Sequence, residues 1–346
     1  EAAARRFGGA CGTQPAAKRT AWQDEFSLIR RILAESRALE ASAPALRVTA
    51  GDDAALFQDL QRPVITTDTQ REGVHFRRRW QPLPAIGQKA AEIAFSDLAA
   101  SYANPRALFV NLALPADMSQ DDVISLNSGI CEALARHGAV LAGGNISAAR
   151  ELAMDLFAVG QGHSELFPVR SAARPGFGLY VTGPLGLARA GLDCLRRGDD
   201  RFPDLIRAFT HPRARFDAAG VLCSHGVACV MDISDGLAGD AVHIAEASGV
   251  TIELDFAAVS VPPALAAFCE KTGRSAAEMM AAGGEDYELL FACDPAAFDP
   301  IAEQLPSVFQ VGACVEFSGE RICGLPEGVR GYRHGPGGGG NGRNWK

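Results

Sequence analysis

Two α/β domains are the fold the sequence predicts, on three observations. Segments with helical apolar spacing alternate with short apolar strands along nearly the whole chain. One stretch rich in Pro, Gly and Arg, PVRSAARPGFG at 168–178, interrupts that alternation. At 346 residues, the chain has the length of two ordinary domains of roughly 100–200 residues each.

The first helix is predicted over 24–40, where Phe26, Ile29, Ile32 and Leu33 share one face and Asp24 supplies an N-cap. A short apolar strand, Pro63-Val64-Ile65, ends in Thr66-Thr67-Asp68. Helix 86–102, strand 107–114, helix 119–137 and strand 151–160 follow. Beyond the interruption come strand 179–182, helices 185–197 and 214–225, strand 227–233, helix 237–248 and strand 250–255. Strands 287–293 and 308–316, with helices between, complete the alternation. The organisation expected is an extension over 1–22, a first domain over 23–167, a second over 168–334 and a flexible Gly-rich tail over 335–346.

Composition excludes several functions. Hydrophobic residues make up 47% and charged residues 21%, enough to bury a sizeable core. With 33 Lys and Arg against 41 Asp and Glu, the net charge of −8 argues against a phosphate-backbone grip on DNA or RNA. No apolar run reaches the roughly 18–20 residues of a membrane span, and 1–21 lacks the apolar stretch of a secretory signal. Nine cysteines without a C-x-x-C pair fit neither a zinc knuckle nor a disulfide framework, so reduced thiols in a cytoplasm are expected.

The chain has no G-x-x-x-x-G-K-[ST] loop, kinase signature set, H-E-x-x-H helix or G-x-S-x-G elbow. It does place carboxylates where chains usually put apolar residues. Asp97 shares a helical face with Ile86, Ala90, Ile93 and Ala100, so it needs a cation, a donor cluster or a proton. Backbone N–H groups or Lys89 could satisfy it instead. Asp68 and Asp232 end strands, where open α/β sheets gather ligands, and Asp232-Ile233-Ser234-Asp235-Gly236 leads into a helix N-terminus. Ser234 or Asp235 would equally serve as an ordinary N-cap. Asp52-Asp53 after Gly51, and Glu285-Asp286 after Gly283-Gly284, read as turns, and Gly143-Gly144-Asn145 reads as a strand running into a loop. Taken together, Asp53, Asp68, Asp97, Asn145, Asp232 and Asp235 suit Mg²⁺ ions holding a nucleotide triphosphate; scattered turn acids are the alternative.

Five blocks then occur in one order: Gly51-Asp52-Asp53-Ala54-Ala55, Thr66-Thr67-Asp68 continuing to Glu72-Gly73-Val74-His75-Phe76, Ser96-Asp97-Leu98-Ala99-Ala100, Asp232-Ile233-Ser234-Asp235-Gly236-Leu237, and Gly283-Gly284-Glu285-Asp286-Tyr287-Glu288-Leu289. In that order the chain resembles the thiamine-monophosphate kinases over about 24–332. The resemblance implies the two-domain α/β (α+β) fold of the aminoimidazole-ribonucleotide-synthetase-like superfamily, a homodimer formed through the N-terminal sheet, and ATP bound with help from the partner's N-terminal domain. It also implies transfer of the ATP γ-phosphoryl group to thiamine monophosphate. Position by position, Asp53, Thr66, Thr67, Asp68, Asp97, Asp232 and Asp235 match Mg²⁺ ligands of that family, with Asn145 where most members have Asp. Gly144, Arg170 and Ser234 match ATP contacts; His75, Glu285 and Tyr332 match contacts to the acceptor. Asp97 and Asp235 are the residues expected to matter most to catalysis. No general base is required, because the acceptor phosphate oxygen is already anionic.

Three positions depart from the family pattern. Asn145 offers a neutral amide oxygen, Gly331-Tyr332-Arg333-His334 replaces a Tyr-Asp-His-type finish, and His211-Pro212 stands where Arg-Pro is common. Two alternatives follow. One is a catalytically impaired nucleotide-binding sensor, supported by Asn145 alone. The other is a different ATP-dependent enzyme of the superfamily, although Cys11 lies in the extension and Cys323 is not terminal, unlike the reactive chain-end Cys of such enzymes.

Overall fold

The computed structural model describes residues 25–40, 46–50, 52–257, 259–326 and 329; Asp24, Gly51, Tyr332 and both expected tails lie outside them. After helix α1 (Glu25–Glu40), a two-stranded hairpin pairs β1 (Leu46–Val48) with β2 (Leu56–Phe57). Then come β3 (Pro63–Arg71), α2 (Leu83–Ala100), β4 (Ala103–Pro115), α3 (Gln120–His137), β5 (Val140–Ala149) and β6 (Ala153–Gly162). These strands form a sheet in the order β3-β6-β4-β5, in which β4 and β5 alone are parallel.

The second sheet takes β7 (Gly178–Val181), β8 (Cys229–Asp232), β9 (Thr251–Leu254), β10 (Leu289–Cys293), β11 (Phe309–Val315) and β12 (Ile322–Cys323), in the order β12-β9-β11-β7-β10-β8. Its pairs are antiparallel except β12 with β9. Between the strands lie α4 (Leu187–Arg197), α5 (Pro203–Thr210), α6 (Phe216–Ser224), α7 (Leu237–Ser248), α8 (Pro263–Thr272), α9 (Ala276–Ala282) and α10 (Phe298–Gln304).

Local chemistry explains the boundaries. A reciprocal capping box opens α3: the Asp122 N–H donates to Ser119 Oγ at 3.1 Å and the Ser119 N–H to Asp122 Oδ2 at 2.8 Å. Gly138, at φ +65°, closes the helix in the left-handed conformation. Helix α5 has no counterpart among the expected elements, and Pro203 at its start is the signal that marks it. The expected strand-to-loop element at Gly143-Gly144-Asn145 is instead continuous strand within β5. Gly144 is required there by close approach, since a Cβ would lie 2.0 Å from the Val110 carbonyl oxygen of β4.

The two sheets share a core. Along β10 the period-2 alternation sends Leu289, Phe291 and Cys293 into the cluster that contains Phe95 and Leu98 of α2, and Leu290 and Ala292 into a second cluster under α7 and α8. Helix α2 is therefore wedged between the sheets, buried on nearly every face. The Tyr102 hydroxyl, just past its end, donates to the Val227 carbonyl at 2.9 Å. The other face of the first sheet is covered in part by the β1–β2 hairpin, which packs over Val159, and is exposed elsewhere: Ile65 is 65% exposed and Phe157, opposite Thr67, 39%.

Candidate active site

Strand β3 brings Thr66 and Asp68 to its inner face, next to α2; Thr67, between them, is exposed on the opposite face. The Thr66 hydroxyl donates to Asp97 Oδ2 at 2.6 Å. One position earlier on α2, the buried Ser96 hydroxyl donates to Asp232 Oδ2 at 2.7 Å, joining the helix to the end of β8. Three carboxylates from three elements, Asp68, Asp97 and Asp232, thus face a common region.

Their charges are poorly compensated. Burial pushes the Asp68 carboxyl up to about 6, with repulsion from Asp97 and Glu285 adding to the shift against the Thr69 N–H. Burial followed by repulsion from Asp97 lifts Asp232 to about 7. Asp97 is raised as well, chiefly by burial, against the Thr66 hydroxyl and the Arg170 guanidinium. Arg170, on a single 3₁₀ turn at Arg170–Ala172, is the cation nearest in effect to both Asp97 and Asp232.

A backbone clamp completes the region. The Glu285 N–H donates to the Ser234 carbonyl at 2.8 Å and the Tyr287 N–H to the Ile233 carbonyl at 2.9 Å. A Cβ on Gly284 would sit 2.5 Å from the Ser234 oxygen, so the two loops touch main chain to main chain. Glu285 and Tyr287 hold left-handed conformations, at φ +69° and +51°. Neither Ser234 nor Asp235 is the cap of α7. Asp240 Oδ2 instead accepts the N–H groups of Ser234, Asp235 and Gly236 at 3.0, 3.1 and 3.1 Å. Burial, Asp232 and Asp235 push Asp240 up to about 8. Similarly, Asp286 caps α4 by accepting the N–H groups of Gly186 at 2.7 Å and Ala188 at 3.2 Å. The sequence carried a faint signal for both: an acid within one turn of a helix start or beside paired glycines.

Lys89 does not serve Asp97. Its ammonium, 2% exposed, lies 2.8 Å from Glu285 Oε2 and 3.5 Å from the centroid of the Phe209 ring. Burial pulls it below the usual lysine value, while Glu285 opposes the shift. His75 lies in the tight loop after β3 and accepts the Arg71 N–H at Nδ1, 3.0 Å away, which leaves the proton of the neutral ring on Nε2.

Three expected metal ligands stand apart from this network, Thr67 on the outer face of β3 being the first. Asp53 is exposed on the connection between β1 and β2. Gly144 and Asn145 are exposed on β5, at the opposite edge of the sheet from β3. Three strand spacings, about 14 Å, separate those edges, so Asn145 and Asp68 of one chain cannot share a cation.

Hard oxygen donors carrying excess negative charge suit Mg²⁺. Among the described residues, no three His, Cys, Asp or Glu side chains close around a point tightly enough to hold an ion unaided. An ion bound through one or two carboxylates and substrate phosphates does not need such a cage. The eight described cysteines are unbridged, and burial pushes Cys229 up to about 12, so that thiol is inert. No helix among the described residues is long and apolar enough to cross a membrane.

Residues 51–161 match the family model AIR synthase related protein, N-terminal domain, and residues 174–313 match AIR synthase related protein, C-terminal domain. Thiamine-monophosphate kinase of Aquifex aeolicus is 33% identical over 289 residues, 82% of this chain and 92% of that one. The solved structure of AaThiL complexed with AMPPCP and TMP is 33% identical and superimposes with a TM-score of 0.73, covering 90% of this chain and 96% of that one. Thiamine-monophosphate kinase from Stenotrophomonas maltophilia, 29% identical, gives 0.75 over 87% and 96%. With the two-sheet fold, the clustered carboxylates and these likenesses in agreement, the chain belongs to the thiamine-monophosphate kinase family.

Proposed function

We propose that this chain transfers the γ-phosphoryl group of ATP directly to the phosphate of thiamine monophosphate, giving thiamine diphosphate and ADP. Family membership supports it, and one observation carries it: Asp68, Asp97 and Asp232 arrive from β3, α2 and β8 with their charges unneutralised. A donor and an acceptor that are both phosphate anions repel, and divalent cations offset that repulsion by neutralising and aligning the phosphates. In this reading Asp68, Asp97, Asp232 and Asp235, with Thr66, hold Mg²⁺, Asp53 reaches the same ions from its exposed connection, and Thr67, whose side chain faces the other way, contributes through its main chain. Arg170 and Ser234 contact ATP. Glu285 and the Nε2–H of His75 bind the acceptor, as would Tyr332. Asp97, between the other two acids, is the residue on which turnover depends most, followed by Asp235.

Gly144 and Asn145 act in this reading from the second copy of a homodimer. The strand spacing that separates them from Asp68 argues for Asn145 of the partner subunit completing the site. The exposed part of that face, bearing Ile65 and Phe157, supplies an apolar surface for that pairing. Domain limits near 167/168 and a cytoplasmic, reduced setting complete the proposal. The sensor alternative rests on Asn145 alone.

The test is phosphoryl transfer measured side by side with thiamine monophosphate, thiamine and no acceptor. Thiamine diphosphate and ADP are expected with the first alone, dependent on added Mg²⁺. Transfer to thiamine, or ATP breakdown indifferent to the acceptor, would overturn the assignment. Light scattering in solution tests the dimer, and a monomer with full turnover would sink the shared site.

A further inference from the structure

Lys89 lies outside the set of metal, ATP and acceptor contacts, yet it is the most deeply buried cation near the site. Its ammonium is 2% exposed, and the charge has two visible compensations: Glu285 Oε2 at 2.8 Å and the face of Phe209 at 3.5 Å. The pair spans the molecule, from α2 against the first sheet to the loop before β10. Lysine at such a position is costly unless its partner is fixed. Glu285 is fixed, since its backbone is left-handed, its N–H is bonded to Ser234 and Gly284 before it abuts the Ser234 carbonyl.

Because Oε2 is occupied by the ammonium, the carboxylate is held in one rotation with Oε1 directed elsewhere. We propose that Lys89 is a positioning residue that orients Glu285 so that Oε1 accepts a hydrogen bond from the exocyclic amine of the acceptor's aminopyrimidine. Lys89 thereby sets the preference for an amino-bearing over an oxo-bearing acceptor. The inference rests on the kinase reading given above and deepens it. Lys89 also offsets part of the repulsion between Glu285 and Asp68, which would otherwise turn the carboxylate away from the site.

The experiment compares wild type, Lys89→Met and Glu285→Gln with thiamine monophosphate and with oxythiamine monophosphate, in which an oxo group replaces the amine. In wild type, thiamine monophosphate is the better substrate in kcat/KM. Lys89→Met raises KM for thiamine monophosphate by roughly 10- to 100-fold, leaves KM for ATP within about twofold, and narrows the preference between the two acceptors. Glu285→Gln narrows it likewise, and the double variant is no worse than the poorer single one. A Lys89→Met enzyme that loses ATP and acceptor affinity alike, or keeps the full preference, shows Lys89 to be a structural strut and overturns the proposal. Should Lys89→Met not fold, an unchanged preference in Glu285→Gln overturns it by itself. Wild type inert toward both acceptors would sink the kinase reading instead, and this inference with it.

Discussion

Helix α2 carries two carboxylates five positions apart, Glu92 buried and Asp97 half-buried, and the fold treats them in opposite ways. Glu92 receives the Arg136 guanidinium, His137 Nε2 at 3.0 Å and the Ala214 N–H at 3.0 Å. Those donors outweigh burial and hold its carboxyl below the usual value. Asp97 receives one hydroxyl and faces Asp68 and Asp232, and its carboxyl is raised. A buried acid given cations and donors ties elements together. One denied them is waiting for a ligand.

The strongest way to break this contrast is Asp97→Asn. Turnover is expected to fall by about 100-fold or more, while the unfolding midpoint without Mg²⁺ and ATP holds or rises, because a repelling charge is gone. A midpoint that drops would make Asp97 structural after all. Glu92→Ala should do the reverse. Removing it strands Arg136 and the Ala214 N–H at a junction of α2, α3 and the segment before α6, costing about 3 kcal/mol in urea unfolding, with kcat kept within a few-fold below the new melting point.

The sign of the pH effect sharpens the comparison further. The folded Glu92 carboxyl lies below its ordinary 4.5, so its contribution is fully present above that pH and is lost as the pH falls through the folded value. Wild type should therefore lose stability as the pH falls below about 4.5 more steeply than Glu92→Gln, as read from melting curves. Equal slopes would show that Glu92 is not the tie described. The smallest effect is expected from Asn145→Asp: Mg²⁺ affinity in the presence of ATP stays level or rises a few-fold. A marked fall would assign the amide another task.

Much of this was legible in the sequence, for reasons that also mark where legibility stopped. The alternation of helices and strands is local, and it survives in nearly every element. Strand direction is not local, so an alternation that usually signals parallel pairing produced mostly antiparallel sheets. Asp97 was recognisable because it broke the apolar face of a helix. Glu92 was not, since α2 is buried almost all round and a single-face argument cannot rank its positions. Lys89 was matched to Asp97 on its own helix, whereas its partner is 196 residues away. The same distance effect hid Asp286 as the cap of α4. Asn145 read as one of a single ring of ligands until the sheet order put it on the far edge.

The interior that Phe95 and Leu98 share with Leu289 and Phe291 constrains how such a chain can be recombined. A chimera cut at the Pro- and Gly-rich junction would separate α2 from the strands that grip it, and graft mismatched side chains onto both. To exchange one half with a relative, the side chains that grip α2 from both sheets must be exchanged with it, so the two halves are inherited as one body.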